Sequence, residues 1–155
     1  MNLSELKTLI KEEVNKALKL SFEIKGYTDN DKILEIRINK ETIGRLIILF
    51  DNSVKFSSQQ YKLSTPFFEN KKICIITDVI IEPKFRGKGY SKMLLQKAIE
   101  LIKSKNIDII VLGLYSDNGA ALNLYKSFGF KEYHKGHSTT SGGVKRGEIY
   151  MRLNL

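Results

Sequence analysis

A strand-like run ending at Pro83 leads into Lys84-Phe85-Arg86-Gly87-Lys88-Gly89-Tyr90-Ser91-Lys92, a basic turn with two glycines. It opens an apolar-periodic segment through Met93, Leu94, Leu95, Ala98, Leu101 and Ile102. Residues of these types in this order can hold an anion. The first backbone N–H groups of a helix lack intrahelical partners and carry the positive end of its dipole. Gly87 and Gly89 let that backbone come close to a phosphate, and Arg86, Lys88 and Lys92 add charge. A pyrophosphate is a natural guest. The spacing is not that of the G-x-x-x-x-G-K-[ST] loop, and Gly87 to Lys92 stops short of G-x-G-x-x-G, so both common nucleotide-binding readings weaken. Further on, Asn118 and Tyr125 stand seven residues apart. A period of 3.6 returns them to nearly one helix face about two turns apart, an amide at the helix start and a phenol below it.

The stretch Thr77 to Lys92 resembles the acyl-CoA signature of the GNAT N-acyltransferase superfamily, in which a strand ending V-x-P leads into R/Q-x-x-G-x-G/A and a helix. Ile81-Glu82-Pro83 and Arg86-Gly87-Lys88-Gly89-Tyr90-Ser91 carry the match, with Ser91 where Gly or Ala is commoner. Asn118-Gly119-Ala120-Ala121-Leu122-Asn123-Leu124-Tyr125, followed by Phe128-Gly129-Phe130, resembles the second signature, N-x-x-A-x-x-L-Y-x-x-x-G-F. Both stand in the family's order with a strand between them, over roughly Ile73 to Tyr133.

The resemblance implies an N-acetyltransferase that moves acetyl from acetyl-CoA to a primary amine by direct transfer in a ternary complex, with no metal. It implies cofactor contacts from the backbone of Val79, Ile80 and Ile81, where a backbone N–H is the oxyanion-hole candidate. It extends them through Arg86, Gly87, Lys88, Gly89, Tyr90, Ser91 and Lys92, and to Asn118. Tyr125 is implied as general acid to the CoA thiolate: with ordinary pKa values of about 10 for a phenol and 8.5 for a thiol it is a modest acid, yet a hydrogen bond stabilises the departing sulfur. The general base stays open. Positions where some members carry glutamate hold Ile75 and Gly113, and strand alternation offers Asp78 or Glu82, with a water relay as the other solution. The acceptor is not legible, because the two helices that commonly shape its site between the first two strands have no counterpart here. A non-catalytic acyl-CoA-binding module is the alternative reading.

The elements that must position these groups fit one domain over residues 1–155, of mixed α/β (α+β) class. The expected architecture is a GNAT-like, mostly antiparallel central sheet flanked by helices and preceded by an N-terminal amphipathic helix. At 155 residues a single core can bury roughly two-thirds of the unfolded surface. Apolar residues make up 42% and charged residues 28%, and no apolar run approaches the ~20 residues of a membrane span, so a soluble cytoplasmic protein is expected. Met1 to Lys19 has no uninterrupted apolar core of a secretory signal. A lone Cys74 in a strand cannot form an intramolecular disulfide. The net charge of +9 suits a polyanionic cofactor; without a long basic block or an aromatic-and-basic run, nucleic acid is disfavoured.

Asn2 with Glu5 predicts a capped helix whose stripe is Leu3, Leu6, Ile10, Val14, Ala17 and Leu18. Docking of residues 1–19 on the domain's own sheet is the expectation, a homodimer or partner contact the alternative. Strands are expected over Leu20 to Thr28, Ile33 to Ile38, Ile43 to Phe50, Val54 to Leu63, and Ile73 to Ile81, with Phe67 and Phe68 as a lid over the core. Ile107 to Leu112, apolar on both faces, reads as an interior strand. Two last strands, Phe130 to Tyr133 and Glu148 to Leu153, are expected to flank a long polar loop, His134 to Gly147. In that loop His134 and His137 read as a solvated turn rather than metal ligands.

Overall fold

In the computed structural model, which describes all residues from Met1 to Leu155, the capping box at the start of the chain is formed. Asn2 Oδ1 accepts from the Glu5 N–H at 2.9 Å, and a Glu5 carboxylate oxygen accepts from the Asn2 N–H at 2.8 Å. These bonds satisfy orphan donors of helix α1, Leu3–Ala17. The helix is held locally and not by packing. None of its residues is buried, and Leu3, Leu6, Leu9, Ile10 and Val14 are 42% to 67% exposed. The expected docking of this helix on the sheet is therefore not what the fold contains.

Seven strands form one sheet: β1 (Leu20–Gly26), β2 (Lys32–Ile38), β3 (Glu41–Leu49), β4 (Ile73–Ile81), β5 (Ile109–Tyr115), β6 (Lys131–Thr139) and β7 (Lys145–Asn154). Their order is β1-β2-β3-β4-β5-β7-β6, and every pairing but β4 with β5 is antiparallel. The mixed α/β expectation holds. Helix α3 (Tyr90–Lys103) and helix α4 (Gly119–Ser127) lie on one face, where Leu94, Leu95, Ala98, Ile102 and Tyr125 join Leu34, Ile36, Leu46, Ile76 and Ile110 in the main core. Ile109 to Leu112 are buried, as a strand apolar on both faces requires.

The opposite face is covered by the connection from β3 to β4, and here the expected strand over Val54 to Leu63 is absent. Asp51–Ser57 form a short helix, α2, and the chain then turns down to Leu63. Val54, Tyr61, Leu63 and Phe68 pack there on Ile75, Ile109, Val111 and Tyr150. Phe68 meets the Tyr133 ring at 5.1 Å as a lid, while Arg152 stacks on the exposed Phe67 at 3.6 Å. Asp31, 1% exposed, ties the β1–β2 turn to the start of α2: its carboxylate accepts from Thr28, Ser53 and the Phe50 N–H. Burial pushes its pKa up, but those hydrogen bonds and the Lys32 charge outweigh it and hold the carboxyl below its ordinary value.

The last hairpin is longer than expected. His134 to Thr139 belong to β6 and Lys145 to Gly147 to β7, so the loop shrinks to residues 140–144 and both histidines sit on a strand rather than in a turn. No helix is long and apolar enough to cross a membrane.

Candidate active site

The parallel seam between β4 and β5 is short. Ile73, Cys74 and Ile75 pair with Ile109, Ile110 and Val111, and beyond Val111 the strands part. The edge of β4 from Ile76 to Ile81 thus has no partner on the β5 side, leaving main-chain groups available to an extended ligand. β5 finds β7 on its other edge as far as Tyr115. The space between the parted strands is a cleft of about 710 Å³.

A bulge shapes its wall. Ile47 is opposite Thr77 and Arg45 opposite Ile80, so Leu46 faces both Asp78 and Val79, and Asp78 takes the left-handed φ of 52°. The bulge reverses the alternation: Cys74 and Ile76 before it, and Val79 and Ile81 after it, all pack toward α3. The phase changes between Ile76 and Val79, so Asp78 and Ile80 are both exposed and off the α3 side. Gly44 lies beneath this segment, where a Cβ would stand 2.8 Å from the Ile80 carbonyl oxygen.

Past Pro83 the chain makes the basic turn. Gly87 and Gly89 have φ of 76° and 84°, left-handed conformations that favour glycine. Gly89 is the N-cap of α3 and offers no side chain to the helix's first N–H groups; its carbonyl accepts from Met93, so the N–H groups of Tyr90, Ser91 and Lys92 precede the first helical bond. A Cβ at either glycine would meet nothing within 4 Å. The conformation, and not crowding within the chain, selects glycine there.

The structure brings together Val79, Ile80, Ile81, Arg86, Gly87, Gly89, Tyr90, Ser91, Lys92, Asn118 and Tyr125, all lining the one cleft. Lys88 is not in the lining; its ammonium lies 5.8 Å from the Phe85 ring centre. Arg86 lines the cleft with its side chain anchored, Nε donating to the Ile81 carbonyl at 2.9 Å. The Tyr90 ring is core, packed 6.3 Å from Phe85. Asn118 caps α4, its Oδ1 accepting from the Ala121 N–H at 3.1 Å, which leaves its amide N–H₂ for a ligand.

Tyr125 is only 6% exposed, with its ring 5.9 Å from Phe130. Burial, with Tyr61 adding to it, pushes its pKa up to about 12, so the phenol is a neutral hydrogen-bond donor across the ordinary pH range.

Sequence reasoning missed a second set of groups bordering the cleft. Tyr61, Glu148 and Tyr150 surround a smaller cavity that also reaches Thr77, Asp78 and Gly113. Tyr150 donates to Glu148 at 2.7 Å, and burial first, then this bond and the Glu148 charge, raise the phenol's pKa. The Tyr61 ring meets that of Tyr150 edge-on at 5.5 Å, and burial raises the Tyr61 pKa as well. Glu148-Ile149-Tyr150 on a strand puts the carboxylate and the phenol on one face, the one signal the sequence carried. Of the two positions where a family glutamate was sought, Ile75 is fully buried, and at Gly113 a Cβ would stand 3.1 Å from the Tyr150 ring.

A family model described as the acetyltransferase (GNAT) family matches residues 7–130. An uncharacterized N-acetyltransferase of Methanocaldococcus jannaschii is 34% identical over 64 residues, 41% of this chain and 28% of that protein. A [ribosomal protein bS18]-alanine N-acetyltransferase of Salmonella typhimurium is 31% identical over 55 residues, 36% of this chain and 37% of that one. The chain thus spans well under half the length of these curated relatives. Among solved structures, the ribosomal-protein-S18-alanine N-acetyltransferase of Escherichia coli superposes with a TM-score of 0.64 at 17% identity, covering 82% of this chain and 70% of that one. A Bacillus subtilis acetyltransferase in complex with CoA gives 0.64 at 17% identity, with 88% and 99% covered. At such identities the likeness is one of fold.

Proposed function

Because the chain belongs to the GNAT family of acetyltransferases, we propose that it transfers the acetyl group of acetyl-CoA to a primary amine, directly and within one ternary complex. The observation that carries this reading is the single cleft in which the left-handed Gly87–Gly89 turn, the unpaired edge of β4 and the Tyr125 phenol meet.

Each part has a task. The first N–H groups of α3, with Lys92 and Arg86, take the pyrophosphate. The pantetheine arm lies along β4 as an extra strand would, beside Val79, Ile80 and Ile81, and Asn118 offers its amide N–H₂ from the far wall. A backbone N–H of that edge receives the oxygen on which charge develops when the amine attacks the thioester carbon. Tyr125 donates to the sulfur as the C–S bond breaks. Because its pKa of about 12 lies above that of a thiol, its main service is a strong hydrogen bond to the developing thiolate, with the proton following as sulfur leaves.

Two measurements test the proposal together. Acetyl-CoA and CoA should raise the melting temperature, and the protein should turn over acetyl-CoA with an amine acceptor, the acetylated product identified by mass spectrometry. Stabilisation by CoA without transfer to any amine would reduce the site to a binding module.

A further inference from the structure

The acyl cleft borders a second cavity, of about 290 Å³, and the two share Thr77, Asp78, Gly113, Leu114 and Tyr115 in their linings. We propose that this second cavity is the acceptor subsite, and that Glu148, aided by Asp78, makes it a site for a cationic primary amine that carries no carboxylate close to its nitrogen. The inference rests on the acetyl-transfer reading above and adds to it the class of acceptor and the group that receives it.

Charge is the first reason. The chain has 26 basic and 17 acidic residues, yet two carboxylates and no lysine or arginine line this cavity. Arg146, the cation stacked on the Tyr115 ring at 3.6 Å, is engaged by both Asp117 oxygens at 2.9 and 3.2 Å, so its charge is already met.

Rigidity is the second. Glu148 stands opposite Tyr115 and Tyr150 opposite Gly113 in the β5–β7 register. Gly113 leaves room for the Tyr150 ring, Tyr61 packs on that ring from the β3–β4 connection, and the Tyr150 hydroxyl fixes one Glu148 oxygen. A carboxylate has further acceptor sites beyond that one bond, so it can still receive an ammonium. Adjacency is the third: an amine held here lies against residues that line both cavity and cleft, beside the parted strands between which the thioester would sit.

The proton balance closes. The bound ammonium gives one proton to Glu148, which passes it to solvent. The freed nitrogen pair forms the C–N bond, the C–S pair stays with sulfur, and sulfur takes the proton delivered through Tyr125. The second proton lost by nitrogen restores the phenol by way of solvent. An amide, CoA thiol and one released proton result.

The test uses matched acceptors, butylamine against 4-aminobutyrate and alaninamide against alanine, with the wild-type chain and with Glu148→Gln, which keeps size and an acceptor for Tyr150. The wild type should favour the amine without a carboxylate by about tenfold or more in kcat/KM. In Glu148→Gln transfer to all four acceptors should slow, because the proton acceptor is gone, and transfer to butylamine and alaninamide should fall further, so that the preference collapses toward unity with CoA affinity unchanged. Asp78→Asn, at a left-handed position asparagine tolerates, should narrow the same ratio and serves if Glu148→Gln does not fold. Transfer to amines with no such preference, or a preference that survives both substitutions, would overturn the acceptor assignment and leave acetyl transfer standing. A wild-type protein that binds CoA and acetylates none of the four would overturn this acceptor assignment, whereas the transfer reading falls only if no amine at all is acetylated.

Discussion

Ile75 and Val111 are the last residues at which β4 and β5 face one another. Six residues of β4 and four of β5 run on beyond them, each without the other. Where that seam stops decides where a ligand can enter the sheet. The basic turn follows β4 directly, and α4 follows β5 after three residues, so both walls of the cleft are short continuations of the parted strands.

The cradle makes a sharp demand on Gly89. With φ at 84°, a Cβ costs about 1–2 kcal/mol in conformation although nothing in the chain obstructs it. Gly89→Ala and Gly89→Val should therefore weaken CoA binding at least about tenfold, or 1.4 kcal/mol, the valine more than the alanine. Calorimetric titration beside thermal melts checks this; wild-type affinity in a folded Gly89→Val protein would remove the pyrophosphate assignment.

Charge should show itself in salt. CoA affinity is expected to fall as ionic strength shortens the screening length from ~10 Å at 0.1 M to ~3 Å at 1 M. Dephospho-CoA, one phosphate poorer, should give the flatter slope. Superimposable titrations in low and high salt would assign the basic balance of the chain to something else.

This half of the site was legible because it is local. Ile81-Glu82-Pro83, two glycines and a helix start follow one another within a dozen residues, and Asn118 and Tyr125 share one helix. Of the groups around the second cavity only Asp78 was legible, since Tyr61 and Glu148 come from distant segments that the strand order β4-β5-β7 brings beside it. Val54, Phe56, Tyr61 and Leu63 invited a strand because β-branched and aromatic residues favour one, but tertiary packing on Ile75 and Val111 overrides that preference. His134 to Thr139 went unread for the opposite reason: an edge strand half in water has no apolar alternation to display.

Asp31 predicts an acid-sensitive joint between the β1–β2 turn and α2. Its folded pKa lies below the unfolded value of about 3.9, so its stabilisation is complete above that pH and is lost as pH falls through the folded pKa. Asp31→Ala, leaving the half-buried Phe50 N–H and two hydroxyls short of an acceptor, should cost about 1–3 kcal/mol at pH 7 and flatten the acid limb. Urea denaturation of both proteins from pH 7 to pH 3 measures it; parallel curves would contradict the assigned bonds.

The exposed stripe of α1 makes a contrasting claim. Leu6→Glu with Ile10→Glu should leave the melting transition within about 0.5 kcal/mol of wild type, because neither side chain is buried. Leu95→Ala, in a fully buried site under α3, should cost about 2–5 kcal/mol. A double glutamate variant as damaged as Leu95→Ala would show that the helix is docked in solution.

The role of Tyr125 is the centre of the account, and Tyr125→Phe tests it most directly. The substitution keeps the ring against Phe130 and deletes only the hydroxyl. Single-turnover acetyl transfer, followed by stopped flow at saturating amine with CoA affinity measured separately, isolates the chemical step from product release. The predicted result is a rate lowered roughly 10² to 10⁴-fold with CoA affinity nearly unchanged. Equal single-turnover rates for Tyr125→Phe and wild type would contradict it and return the tyrosine to the core.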